Sequence, residues 1–286
     1  MLALQLLISG LVTGCALGVV AISFSLVYAT TKIFHVAHAG IYTLAGYLAW
    51  SLAAHGVPAI LALLLSMVVC AVVGALIQMQ LYARLAQRRA THLVVLIASL
   101  GALAIIQNII AAVYTPNILQ FAQPWSSRVL ALGPVRLNYT QLLTVVISLA
   151  AFAATMLFAH RTILGKRIRA VASNPMLAEI TRLQPQIVYV YVIAIASALV
   201  CLPGVLVPLD LGLQPYNGVT PLLTATIAMI AGGVGSITGA FVLSIAIAVL
   251  QNLSLMVIPG EWSIGVTFFI FVIFMLFRPT GLFAAR

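Results

Sequence analysis

The sequence predicts an all-α, polytopic helical membrane protein. Of its 286 residues, 64% are hydrophobic and only 6% are charged, which argues against a soluble domain. Apolar runs recur along the chain, and each is long enough to supply the roughly 20 helical residues that cross the hydrocarbon core of a bilayer. Because these runs are continuous rather than alternating with a period of two, they exclude a membrane β-barrel.

The predicted spans follow one another with short polar breaks. The first, residues 2–30, carries Gly10, Gly14 and Gly18 on one helix face, which predicts close packing against a neighbouring helix. A polar interruption at residues 32–40 precedes a second apolar stretch that ends at residue 54. Further spans are predicted at residues 57–81, 92–113, 139–160, 187–207 (ending ahead of Pro208) and 262–277, with a Pro-rich loop at 114–138.

Residues 219–255 are too long for one simple span and are interrupted by glycines. Gly232, Gly233 and Gly235 precede Ser236, and consecutive glycines destabilise a helix and expose its backbone groups. A broken or re-entrant helix pair near Gly232–Ser236 fits this pattern, which gives about eight or nine membrane segments in a single domain, residues 1–286. Such a break lines a permeation path in some transporters, and close helix packing explains it equally well.

The basic residues predict the orientation in the membrane. If the turn with Arg84, Arg88 and Arg89 is cytoplasmic, alternation of the spans puts eleven of the thirteen Lys and Arg residues inside and only Arg128 and Arg136 outside. This bias follows the positive-inside rule, and it places the N-terminus outside and the C-terminus in the cytoplasm. The net charge of +10 is therefore interpreted as a topology signal rather than as a nucleic-acid-binding surface.

One long polar segment, residues 161–185, predicts contact with a soluble partner on the cytoplasmic side. It is the densest basic segment of the chain. Asn174 followed by Pro175 predicts a helix start, because Asn caps free backbone N–H groups and Pro has its backbone torsion already set. Pro185 is expected to end this helix.

The predicted short helix has an apolar face. Met176, Ile180 and Leu183 recur at helical spacing, while Glu179 and Arg182 point elsewhere. One side of the helix can therefore seat against an apolar surface.

Acidic residues are too few for an ion-coupled carrier. Asp210 and Glu261 are predicted at outer span ends and Glu179 in the cytoplasmic segment, whereas ion-coupled transport usually needs ionisable groups within the bilayer. Energy for uphill movement would then come from a separate motor subunit. The sequence also contains no catalytic constellation and no phosphate-binding loop, so neither an enzymatic activity nor a nucleotide site is expected.

Two pairs of polar residues lie in or beside the apolar runs. His35 and His38, one helical turn apart, could line a polar passage or share a ligand, although hydrogen-bonded core histidines are the more common case. A metal site is not expected, because no acid stands near the histidine pair. Gln107 and Asn108 either form interhelical hydrogen bonds or contact a substrate.

The three cysteines suggest no further site. Cys15, Cys70 and Cys201 each lie inside an apolar run without paired spacing. They are interpreted as small core residues.

Five motifs spread over the chain share a pattern with one known family. They are the glycines of the first span, FHVAHAGIYTLAGY from Phe34, TILGKRIRAVASNPMLAEI from Thr162, IAGGVGSITGA from Ile230, and RPTGLF from Arg278. Together they resemble the LivH-type permease subunits of branched-chain amino acid ABC importers over essentially the whole length. The chain departs from the family at His35, where Asn is usual, and at Ala39, where Gly usually follows the histidine.

The resemblance implies a permease of the bacterial inner membrane that works in a complex. Its partners would be a second related permease subunit, two cytosolic ATPase subunits and a periplasmic substrate-binding protein. ATP and Mg would bind to the ATPases, with no cofactor on this chain. The coupling segment within 161–185 would seat in an ATPase cleft through Gly165, Lys166, Arg167, Arg169, Ala170, Asn174, Pro175, Ala178 and Glu179.

The resemblance also frames the translocation path and the cargo. Candidates for the path are His35, His38, Asn108, Gly232, Gly233, Gly235 and Ser236. By the family pattern the cargo is a small, commonly aliphatic amino acid, and the alternative is another small polar solute such as an amide or urea. An ATPase-independent facilitator is a further alternative, which the capped cytosolic helix disfavours.

Overall fold

The computed structural model describes residues 2–121, 129–132, 135–278 and 281–283. The predicted loop residues Pro124, Trp125, Arg128 and Pro134 and the tail residue Arg286 lie outside these ranges. The described helices are α1 (Leu2–Thr31), α2 (His38–Ala54), α3 (Ala59–Ile77), α4 (Ala83–Gln87), α5 (His92–Tyr114), α6 (Tyr139–Arg161), α7 (Ile163–Ser173), α8 (Pro175–Ile180), α9 (Pro185–Leu211), α10 (Val219–Gly232), α11 (Ile237–Ser254) and α12 (Ser263–Phe277).

The polytopic helical prediction is confirmed. Among the described residues, seven helical stretches are long and apolar enough to cross a membrane. Two further helices are shorter than the roughly 20 residues that a span needs: α2 has 17 residues and α10 has 14. The seven stretches and these two helices agree with the expected eight or nine membrane segments.

The glycines of the first span bring α1 and α11 into backbone contact. A Cβ atom at Gly10 would lie 2.7 Å from the Cα of Val249, and one at Gly14 would lie 2.6 Å from the Cα of Ile245. At Gly18 the added atom would collide with the ring of Phe241. The predicted close packing of this face is therefore confirmed, and it requires the absence of side chains.

The two ends of the helical bundle differ in character. At one end, Tyr82 packs in a cluster with residues of α7 and α8, so the turn that carries Arg84 and the polar segment lie together. We call this the basic end. At the other end, the antiparallel strands β1 (Val129–Leu132) and β2 (Val135–Asn138) form a short hairpin inside the predicted Pro-rich loop. We call this the hairpin end.

Side-chain hydrogen bonds fix the hairpin on two helices. Gln5 on α1 donates to the carbonyl of Arg136 (2.9 Å) and accepts from its N–H (3.0 Å). The carboxylate of Asp210 on α9 accepts from the amides of Asn138 (2.9 Å) and Gln141 (3.0 Å). The only acid of α9 is thus used to hold the hairpin to the bundle.

The predicted break in residues 219–255 is confirmed, and it lies at the basic end. Helix α10 ends at Gly232, and α11 begins after Ser236. Between the two helices, Gly233 has a φ of 102° and Gly235 a φ of 88°. Positive φ is accessible to glycine without steric cost. The turn lies against the end of α1, since a Cβ at Gly235 would be 3.5 Å from the Cβ of Ala29.

Two proline predictions are wrong. Pro185 does not end the short helix α8; it is the first residue of α9, where its fixed φ suits a helix start. Helix α8 ends earlier because Leu183 N–H bonds to Ala178 O and Arg182 N–H to Glu179 O, with Arg182 at φ 60°. This is a Schellman motif.

Pro208, the other misread proline, lies inside α9 rather than beyond its end. The helix continues to Leu211. A proline inside a helix leaves the carbonyl four residues earlier without its usual donor. That carbonyl belongs to Gly204, and Gly46 of α2 packs close to it: an added Cβ at Gly46 would lie 2.7 Å away.

Candidate coupling segment and buried polar cluster

The polar segment folds as two capped helices. The hydroxyl of Thr162 accepts from Gly165 N–H (3.0 Å) at the start of α7. The side-chain oxygen of Asn174 accepts from the N–H groups of Met176 (3.0 Å) and Leu177 (3.1 Å) at the start of α8. Asn174 and Pro175 therefore begin a helix as predicted, and each cap satisfies donors that the helix itself leaves free.

Helix α7 packs on the bundle through one face. Gly165, Ile168 and Val171 are buried, while Lys166 and Arg167 are exposed. Gly165 sits against the last turn of α6, where an added Cβ would collide with the carbonyl oxygen of Phe158 and lie 2.7 Å from that of Ala159. The close approach fixes α7 to the end of α6.

Helix α8 presents its apolar side chains outward. Met176, Leu177 and Ile180 are 77%, 60% and 76% exposed, whereas Ala178 is 4% exposed and packs on the cluster that includes Leu183. Glu179 is exposed beside them. Of the predicted apolar face, only Leu183 seats against this chain, so Met176 and Ile180 remain available for another protein.

Arg169 is exposed as well, but it is held against the end of α6. Its guanidinium donates to Nδ1 of His160 on α6 over 2.8 Å. Together with Gly235 and Ser236, it lines a cavity of about 310 Å³ between α1, α6, α7 and α11. Lys166, Arg167 and Ala170 are exposed on the same helix but do not line this cavity.

A buried polar cluster surrounds the two histidines. It consists of Ser23, His35, His38, Tyr82 and Ser99, each at most 1% exposed. His35 Nδ1 lies 2.7 Å from the Tyr82 hydroxyl, which lies 2.7 Å from the Ser99 hydroxyl, and His38 Nε2 lies 2.9 Å from the Ser23 hydroxyl. Ser99 also accepts from the backbone N–H of Ala37 (3.0 Å). The cluster therefore joins α1, the start of α2 with the chain before it, the turn that follows α3, and α5.

The hydrogen bonds of Ser23 show which ring nitrogen of His38 donates. Ser23 donates its only hydroxyl hydrogen to the carbonyl of Val20 (2.8 Å), so its oxygen accepts from His38. His38 Nε2 therefore donates, and its Nδ1 has no partner among the described residues. His35 Nε2 is likewise without a partner there, and the two rings lie 5.5 Å apart between centroids. Both histidines are therefore buried and hydrogen-bonded through one ring nitrogen, as core histidines usually are.

Sequence reasoning missed Tyr82, Ser99 and Ser23. Tyr82 reaches the cluster because Gln78–Tyr82 form a π-helical turn between α3 and α4, and such turns are frequent at functional sites. The available signal was the presence of hydroxyl side chains within apolar runs. Their partners are separated from them along the chain, so the sequence alone does not pair them.

Replacing Tyr82 with phenylalanine is expected to destabilise the protein. The change removes one hydroxyl and leaves both His35 Nδ1 and the Ser99 hydroxyl short of a partner, which costs about 1–3 kcal/mol. Thermal unfolding in detergent, followed by circular dichroism, measures the effect. Tyr191→Phe is the matched control because that side chain is 50% exposed. Equal unfolding temperatures for the two variants would show that the cluster does not stabilise the fold.

The other candidates for the path are placed apart from the histidines. Asn108 is exposed on α5 and donates to Ala104 O within its own helix (2.7 Å), whereas its neighbour Gln107 is 6% exposed. Gly232 packs on the backbone of Gly239, where a side chain would not fit. The carboxyl-terminal tail packs on Gly233, because a Cβ at Gly281 would lie 2.5 Å from the Cα of Gly233.

The described part of the chain offers no obvious metal centre. No group of three or more His, Cys, Asp or Glu residues converges there. Cys15, Cys70 and Cys201 are buried and free of disulfide bonds.

The family model for the branched-chain amino acid transport system permease component matches residues 6–275. This chain belongs to that family. The match extends from the first turns of α1 almost to the end of α12, so it includes the polar segment 161–185 and the buried polar cluster. The prediction of a LivH-type permease, a transport subunit rather than an enzyme, is confirmed.

Similar proteins cover nearly the whole chain. The high-affinity branched-chain amino acid transport system permease protein BraD of Pseudomonas aeruginosa is 25% identical, over 98% of this chain and 95% of BraD. The permease protein LivH of Salmonella typhimurium and that of Escherichia coli strain K12 are each 24% identical, over 98% of this chain and 94% of LivH.

A solved structure shares the fold of this permease-family chain. It is PsaBC from Streptococcus pneumoniae in complex with Fab, at a TM-score of 0.52 and 15% identity, covering 93% of this chain and 90% of the other. At that identity the likeness concerns the fold alone.

Proposed function

We propose that this chain is the permease subunit of an ATP-binding-cassette importer that moves branched-chain or related small amino acids into the cytoplasm. The observation that carries the proposal is the exposed apolar surface of α8. Met176, Leu177 and Ile180 are displayed by a helix that is capped at its start and held to the bundle by Ala178. Exposed apolar side chains in a basic segment are typical of a protein-binding site.

The complex would contain two cytosolic ATPases, which bind ATP and Mg, a second related permease and a periplasmic substrate-binding protein. Rigid attachment of α7 at Gly165 and of α8 at Ala178 supports transmission, because a push on these helices would move α6 and α9. In this proposal the single permease domain, residues 1–286, couples to the ATPases through Gly165, Lys166, Arg167, Arg169, Ala170, Asn174, Pro175, Ala178 and Glu179.

The basic end would face the cytoplasm of a bacterial inner membrane. The turn with Arg84 and the polar segment share that end, as the positive-inside rule requires. The N-terminus and the hairpin would then face the periplasm, where a binding protein delivers cargo.

The translocation path would lie against a second permease. Asn108 supports this placement, since a polar amide exposed on an apolar membrane helix fits a protein contact better than lipid. The remaining path candidates are His35, His38, Gly232, Gly233, Gly235 and Ser236. The glycines have a second role, because the turn they form adjoins the coupling helix α7 through the shared cavity.

Reconstituted transport tests this proposal. The chain, co-expressed with its candidate ATPases and second permease, is placed in proteoliposomes with the binding protein, and uptake of labelled leucine is measured with ATP or with a non-hydrolysable analogue. We expect uptake only with ATP and competition by valine but not by urea or glutamine. Uptake that is equal without ATP would contradict an ATP-driven importer and indicate a facilitator.

A further inference from the structure

The cavity beside α7 has the composition of a ligand site. Its volume of about 310 Å³ lies at the lower end of the range for small-molecule pockets. Leu26, Ile168 and Ile237 contribute apolar walls, and a few polar groups converge on it. Among the described residues that line it, none is Asp or Glu. The cavity is therefore lined by a cationic side chain, Arg169, and by no carboxylate among these residues.

Arg169 supplies a positioned cation. Its contact with His160 uses one of the five N–H donors of the guanidinium, and because Arg only donates, His160 Nδ1 is the acceptor. The planar guanidinium is thus held at one edge, and its remaining donors are available to an anion. Guanidinium groups bind carboxylates with two parallel hydrogen bonds.

The start of α11 faces the same space. Ser236 caps this 18-residue helix by accepting from Gly239 N–H (3.0 Å), and Ser236, Ile237 and Thr238 all line the cavity. The first N–H groups of a helix have no partner within it, and the helix dipole favours an anion there.

Ser25 provides an independent indication of a ligand. Its side chain is 1% exposed and lines the cavity, and its hydroxyl has no hydrogen-bond partner among the described residues. An unpaired buried hydroxyl is costly, and Ser23, Thr30 and Thr31 of the same helix each donate to a carbonyl of α1. Ser25 on α1 thus lines the same cavity as Arg169 on α7.

From this convergence we propose that the cavity binds a small aliphatic carboxylate that enters from the basic end. The guanidinium, the Ser25 hydroxyl and the α11 N-terminus hold the carboxylate, and the apolar walls enclose the aliphatic part. Because no acid lines the cavity, an ammonium group gains no partner, which favours a simple carboxylate over the zwitterionic amino acid itself.

The position of the site suggests that a ligand bound from the cytoplasm inhibits transport. This inference rests on the proposed importer function. A ligand that touches α7 on one side and α11 on the other stabilises the arrangement in which the cavity has this shape. If ATP hydrolysis moves α7 relative to α11, an occupied cavity slows the cycle. Aliphatic carboxylates in the cytoplasm would then restrain import.

Direct binding of isovalerate to the purified complex in nanodiscs tests the site. Isothermal titration is carried out without ATP or cargo, and isovaleramide serves as the neutral ligand of the same shape. We expect Arg169→Gln to weaken isovalerate binding roughly tenfold or more and Ser25→Ala roughly threefold to tenfold. Arg169→Lys retains the charge and should lose less. Arg167→Gln is the matched control because Arg167 is exposed on the same helix and does not line the cavity.

Several outcomes would overturn the assignment. Equal binding of isovaleramide contradicts an anion site, and equal loss in Arg167→Gln and Arg169→Gln contradicts this location. Binding of inorganic phosphate but not isovalerate contradicts an aliphatic ligand. Isovalerate binding that disappears when phosphatidylglycerol replaces phosphatidylcholine in the nanodisc identifies an anionic lipid headgroup as the occupant instead.

Measuring ATP hydrolysis distinguishes the existence of the binding site from its proposed regulatory role. We expect isovalerate to inhibit hydrolysis by the wild-type complex, and binding without inhibition would overturn the regulatory role. If the complex shows no ATP-driven uptake but isovalerate binding depends on Arg169 and Ser25, the importer function fails while the site stands.

Discussion

Replacing Gly14 with leucine is expected to break the packing of α1 on α11 and to prevent stable folding. Even a Cβ atom at this position would lie 2.6 Å from the Cα of Ile245 and 3.3 Å from the Cβ of Ala248. The first contact is with backbone, which cannot rotate away as a side chain can. Overpacking of this kind costs about 1–3 kcal/mol and occasionally more, and the leucine adds three further carbons to the collision.

Gly101→Leu is the matched control for this change. Gly101 also lies in a membrane helix, α5, but an added Cβ there meets no described atom within 4 Å. The yield of monodisperse protein in size-exclusion chromatography and the thermal unfolding temperature should fall for Gly14→Leu and stay near wild type for Gly101→Leu. A normal yield and unfolding temperature for Gly14→Leu would mean that α1 and α11 are not in backbone contact.

Replacing Ile180 with aspartate is expected to abolish coupling to the ATPases. Ile180 is the last residue of α8 and is 76% exposed, so the substitution leaves the Asn174 cap and the buried Ala178 in place. In the proposed complex its side chain would be buried in the ATPase, and losing a central apolar anchor of an interface costs about 2 kcal/mol or more. A desolvated carboxylate adds to that cost. ATP-driven leucine uptake should fall at least roughly tenfold.

The Val257→Asp variant distinguishes a lost contact from a general effect of charge. Val257 is 88% exposed and follows α11 near the opposite end of the bundle. The ATPases should co-purify with Val257→Asp as with wild type and be depleted from Ile180→Asp. Full ATPase recovery and normal uptake with Ile180→Asp would rule out α8 as the docking element and withdraw the main support for the proposed coupling.

The coupling segment shows how far local signals reach. Asn174 and Pro175 predicted the start of α8 correctly because a cap involves residues two or three positions apart. The end of the same helix was predicted at Pro185 and lies at Ile180. A backbone turn at Arg182, stabilised by the burial of Leu183, decided it, and neither residue is a usual stop signal.

Arg169 illustrates a limit of a different kind. It is exposed like Lys166 and Arg167, but unlike them it bonds to His160 and lines a cavity. Helical periodicity places positions 165, 168, 169 and 172 toward one face. Whether that face holds a cavity or a packed core depends on α1 and α11, which are distant in sequence.

The sequence by itself determined the membrane class, the positions of most spans, the broken helix pair and the close packing of the first-span glycines. Each of these follows from the length of apolar runs, from the small size of glycine or from neighbouring residues. Only the tertiary structure decided that the Gly232–Ser236 turn adjoins α7 and that His35 bonds to Tyr82, 47 residues away. Hydrogen bonds and cavities between distant segments depend on how the helices pack, and a run of apolar residues does not encode which faces meet.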